Sequence, residues 1–197
     1  MKLSLRRVAV VLAGSFLATT AAQADSGSLA LDLSNDSVRF QYTSTATMSA
    51  DSEFEWDAGF LLIENDSTAD RKLFTGTIRS VGDAGVADHQ VTAALGLRAS
   101  WLNGDGFDAQ ALGVGGEISA RFQGIDRLVF SGYGYYAPKV LAFGDADEFF
   151  EFGASAGYQV LRNGEVYVGY RRVSFEPTGG TSVTADTGFH LGMKFGF

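Results

Sequence analysis

The chain has 197 residues, a formal net charge of −8, no cysteine, 25 glycines and only two prolines. Its acidity argues against nucleic acid and anionic lipid surfaces as electrostatic partners, and the missing cysteines exclude a disulfide scaffold. Glycine stands at nearly twice its usual share of about 7%. Beside 13% aromatic residues, that suits strands packed closely around a curve.

Lys2, Arg6 and Arg7 precede an apolar run over residues 8–17, and Ala22-Gln23-Ala24 follows as a small-x-small cleavage pattern. The run is too short to span a hydrocarbon core, which needs about twenty residues. A leader over 1–24 and a mature β-barrel domain over 25–197 are therefore expected. Losing the three cations takes the net charge from −8 to −11.

Two strand candidates come next, Ser28 to Leu33 and Val38 to Thr45, joined at Asn35-Asp36. Phe54, Trp56, Ala58, Phe60 and Leu62 then alternate with Glu55, Asp57 and Gly59. The same period of two runs from Val91 to Trp101, from Leu112 to Phe122, from Phe150 to Val160 and from Phe189 to Phe197. In each of these segments one face is apolar and the other is small or charged. Residues 73–81, 128–136 and 166–175 are strand-like, but their alternation does not fix which face points outward. The adjacent Arg171 and Arg172 predict a bulge or an exit from the bilayer.

Gln123-Gly124-Ile125-Asp126 and Arg162-Asn163-Gly164-Glu165 read as tight turns, Asn-Gly favouring positive φ. The connections over 137–148 and 176–185 read as longer. Short turns alternating with longer loops, and segments of about ten residues, match an antiparallel transmembrane β-barrel. An even strand number is required, ten being favoured and eight the alternative. A soluble β-sandwich fits less well, because the apolar faces keep large residues out to both strand ends.

Two stretches carry a family resemblance: 133–147, reading YGYYAPKVLAFGDAD, and Gly157-Tyr158-Gln159 followed by Val166-Tyr167-Val168-Gly169-Tyr170-Arg171. They resemble the YfaZ family of outer-membrane proteins. That resemblance implies a small porin-like barrel and brings no catalytic residues with it.

The inward faces then carry Asp32, Arg39, Glu55, Asp57, Arg98, Glu117, Arg121, Glu151 and Lys194 as lumen-lining charges. They either neutralise one another in a filled interior or line a narrow, mildly cation-preferring path. His190 is the weak catalytic candidate, with Asp186 four residues away and no nucleophile fixed beside it. Asp145, Asp147, Glu148 and Glu151 lack the spacing of a calcium loop, so no metal and no cofactor are expected. Phe143, Phe149 and Phe150, with Tyr133, Tyr135 and Tyr136, suit an aromatic girdle.

The expected function is a non-enzymatic outer-membrane barrel, a narrow pore or an envelope-integrity component. The alternatives are a hydrolase acting on lipid or peptide at the external rim, and a surface adhesin. Expected partners are outer-membrane lipids and lipopolysaccharide, with periplasmic chaperones and the barrel-assembly machinery during biogenesis. Phe197 resembles the assembly signal, and a monomer is expected.

Overall fold

The computed structural model describes residues 26–49, 52–64, 70–86, 89–104, 106–177, 179 and 182–197. The expected leader lies outside them. The described chain is almost all strand: β1 (Ser26–Leu33), β2 (Ser37–Ser49), β3 (Ser52–Ile63), β4 (Arg71–Asp83), β5 (His89–Gly104), β6 (Phe107–Phe122), β7 (Leu128–Ala137), β8 (Ala142–Gly144), β9 (Ala146–Leu161), β10 (Gly164–Pro177) and β11 (Val183–Gly196). Each wall strand pairs antiparallel with its neighbours, and β1 pairs with β11 to close a barrel of ten strands. The closing seam continues to Gly27 and Phe197, whose backbones exchange hydrogen bonds of 2.9 and 2.8 Å. Closure removes the open edges of the sheet, except at the short β8, which pairs with β6 alone.

The short β8 is a second piece of the wall position that β7 begins, between β6 and β9. Tyr136 pairs with Val114 of β6 and Ala142 with Ala111, so residues 112–113 face the five residues 137–141. Pro138 has no N–H to continue the ladder. The chain turns out through a single 3-10 turn, Lys139–Leu141, and returns to β6 as β8. The sequence reading of 137–148 as a long external loop is thus corrected: most of it is barrel wall, and β9 begins at Ala146. The connection after β10 is likewise shorter than expected, because β10 runs to Pro177 and β11 starts at Val183.

Large apolar side chains point away from the barrel axis. Leu95 is 77% exposed and Phe189 75%. Arg171, Glu151 and Asp57 are instead among the most deeply buried side chains. This inversion of the usual globular order is what strand alternation produces when the inside is polar and the outside is not.

The inward face changes character along the axis. Next to connections 64–70, 105–106, 138–145 and 178–182, the interior is an apolar cluster. It draws Leu61 and Ile63 from β3, Leu73 from β4, Leu102 from β5, Ala109 and Ala111 from β6, and Ala137 from β7. Phe149 comes from β9, Val173 and Phe175 from β10 and Ala185 from β11. Leu102, Ala109, Ala137, Phe149, Val173 and Phe175 have no solvent-accessible surface at all. Phe149 and Phe175 meet with ring centroids 4.8 Å apart.

Candidate functional site

Below the apolar cluster, toward the end holding Ser26 and Phe197, lies a layer of buried charge. Arg79 is one hub: its Nη1 is 2.7 Å from Asp57 Oδ2, its Nε donates to Glu55 Oε2 at 2.7 Å, and Glu117 lies 3.6 Å away. Thr77 donates to Asp57 and accepts from Arg98 Nε, linking this hub to the next.

Glu151 is the second hub. Tyr133 donates to its Oε1 at 3.1 Å, and Arg39 stands 3.6 Å from the same oxygen. Arg98 Nη1 approaches it to 3.0 Å as a charge contact without hydrogen-bond alignment. The Arg98 guanidinium also lies 4.1 Å from the Tyr135 ring centroid, a cation–π contact that partly replaces lost hydration.

The third hub is Arg171, whose Nε donates to Asp186 at 2.7 Å and whose Nη1 donates to Asp32 at 3.1 Å. Tyr167 donates to the other Asp32 oxygen. Buried ions are tolerated only when paired in this way.

Past this layer the lumen opens into a polar cavity of about 290 Å³. Arg121, Lys194, Glu165, Thr92 and Ser131 line its outer part, while Asp32, Arg39, Glu55, Arg98 and Glu117 line its deeper part. Of the nine charges singled out from sequence, Asp57 and Glu151 thus sit in ion-pair hubs off the cavity lining, and the other seven touch the cavity. Arg79, Arg171, Tyr133 and Tyr167 are equally central but lay in the three segments whose faces the alternation left open.

Among the described residues, no serine or carboxylate is hydrogen-bonded to His190. Its ring stands edge-on to Tyr167 at 6.2 Å between centroids, and its Nδ1 is buried without a hydrogen-bond partner. Asp186, the carboxylate expected beside it, is engaged by Arg171 instead. The acidic cluster also comes apart. Asp145 accepts the Asp108 N–H, Asp147 pairs with Lys139 at 2.7 Å, Glu148 accepts from Tyr136, and Glu151 turns into the lumen. The girdle reading needs the same correction. Phe143, Phe150 and Tyr136 point outward, whereas Phe149 and Tyr135 are buried inside and Tyr133 points into the lumen toward Glu151.

A closed ten-strand barrel with this interior agrees with the comparison to known families, in which the YfaZ precursor model matches residues 5–197. The chain belongs to the YfaZ family. Curated proteins contain no significant sequence match to it. The precursor description covers residues on both sides of the expected cleavage point, and the YfaZ match spans every wall strand of the barrel.

Proposed function

We propose that this YfaZ-family barrel is an integral outer-membrane protein closed to through-passage, serving the envelope as a non-enzymatic wall component. The apolar outward faces support membrane insertion. Among exposed residues, Phe74, Trp101, Phe143 and Phe150 crowd toward one end of the outer surface, and Phe54, Trp56, Phe122, Tyr158 and Phe197 toward the other. Two such aromatic zones around an apolar band suit the two bilayer interfaces. An even strand count puts both ends of the barrel chain on one side. The longest uninterrupted connection, 64–70, lies on the opposite side. This orients the polar cavity toward the periplasm and the apolar cluster toward the exterior.

The observation that supports the closed reading is the apolar cluster, fed by eight of the ten wall positions, with fully buried side chains at its heart. A hydrated ion crossing it would lose its water without gaining ligands. Purified wild-type protein in planar bilayers should show no discrete conductance, and cell fractionation should place it in the outer membrane. Single-channel steps from the wild type would overturn closure, and recovery in the inner membrane would overturn the location. During biogenesis the proposal includes recognition of Phe197 by the assembly machinery and escort by periplasmic chaperones.

A further inference from the structure

The outer surface of β4, β5, β6 and β8 carries a groove of about 400 Å³ at the end away from Ser26 and Phe197. Its floor is Gly76 opposite Ala99, and its walls are Phe74, Trp101, Leu112 and Phe143. The depth follows from the register. Phe74 faces Trp101 one step above the Gly76–Ala99 pair, and Leu112 faces Ala99 across the next seam. Phe74 and Trp101 remain more than half exposed, so neighbouring strands do not fill the groove.

Two polar side chains border it. Gln110 lies in the same outward row, between Trp101 and Phe143. Lys72 is the next outward residue above Phe74, is exposed, and forms no ion pair among the described residues. The nearby carboxylate of Asp108 is held by Asn103 Nδ2 at 2.5 Å, which lies between it and Lys72 in register. The chain as a whole is acidic, so attraction to phosphate has to be local. Here an apolar slot, a hydrogen-bonding amide and a lone cation stand in order along the path from bilayer interior to headgroup level.

We infer that the groove holds an acyl chain of a phosphorylated glycolipid of the outer leaflet, with Lys72 against its phosphate and Gln110 against its sugar. The slot is open along its length and floored by glycine and alanine, which suits a flexible hydrocarbon chain. The inference rests on the outward orientation proposed above.

The test is native mass spectrometry of the detergent-solubilised barrel with bisphosphorylated lipid A. Wild type should retain the lipid. Ala99→Phe and Gly76→Leu, which fill the floor from outside the wall, should each lower occupancy about ten-fold, equivalent to about 1.4 kcal/mol. Lys72→Gln should weaken binding of the bisphosphorylated form and leave binding of the dephosphorylated form unchanged. Heat-modifiable migration on gels verifies folding, and Lys72→Gln carries the test should both floor variants fail to fold. Undiminished occupancy in folded floor variants, equal binding of the dephosphorylated lipid to wild type, or a dimer dissolved by Ala99→Phe would each overturn the assignment. A misplaced barrel would show in fractionation while detergent binding persisted, so the two readings fail separately.

Discussion

Glu151 shows how individual residues keep a charged interior stable. Its carboxylate is 1% exposed and meets Arg98, Arg39 and Tyr133 at one oxygen. Removing a partner from a buried ion cluster leaves the remaining charges uncompensated, at a cost of about 3–5 kcal/mol. Glu151→Ala should therefore lower the unfolding free energy by that order, because two guanidinium groups lose their shared anion. Glu151→Gln retains an acceptor for Tyr133 and should be less destabilising. Urea unfolding in micelles, followed by Trp56 and Trp101 fluorescence, measures both. Equal stability of Glu151→Ala and wild type would mean that water replaces the carboxylate without loss.

At the level of strands, two glycines permit a close approach that other residues would block. Gly96 and Gly115 face each other across the β5–β6 seam. A Cβ on Gly115 would come within 2.0 Å of the Gly134 carbonyl, and one on Gly96 within 2.1 Å of the Ile78 carbonyl. Both obstacles are backbone, so no side chain can swing aside. Gly115→Val should push β6 from β7 and cost about 1–3 kcal/mol, the range for overpacking a filled site. The expected readout is a lower yield of the heat-modifiable folded form; unchanged folding would show that the wall flexes enough to admit the methyl groups.

Strand alternation also sets how much of the fold could be read in advance. The segments 54–62, 91–101, 112–122, 150–160 and 189–197 show their outward faces plainly because small or charged residues oppose apolar ones. The segments 73–81, 128–136 and 166–175 do not, and the apolar cluster explains why. Leu73, Tyr135, Val173 and Phe175 point inward where the lumen itself is apolar, so the contrast between faces disappears there. Arg79 and Arg171 lie on those same strands and were hidden with them. The 137–148 segment was misread for a different reason. Pro138 is a true local break, but only the partner register shows that the chain rejoins β6 four residues later.

For the whole molecule, the apolar cluster and the ion-pair layer stand in series along the lumen, and the proposed closure is assigned first to the apolar cluster. Phe149 and Phe175 meet as a tilted ring pair, 4.8 Å between centroids, inside the apolar cluster. Truncating one leaves the other to collapse into the space, whereas truncating both removes the central contact. Each change costs about 3–5 kcal/mol in a packed interior, so folded protein has to be selected before recording. The double variant Phe149→Ala/Phe175→Ala should admit water past the former cluster and give small, discrete conductance steps where the wild type gives none. Current would then pass the carboxylates of Glu55 and Glu117, both of which line the cavity. Charges on a lumen wall tune selectivity, and this wall carries four carboxylates beside six cations, so adding Glu117→Gln should shift the permeability ratio toward anions. If the folded double variant stays silent, the Arg39–Glu151–Arg98 layer blocks ions without help from the aromatic pair. Closure would then belong to the ion pairs, and Glu151→Ala in the same background should open the path.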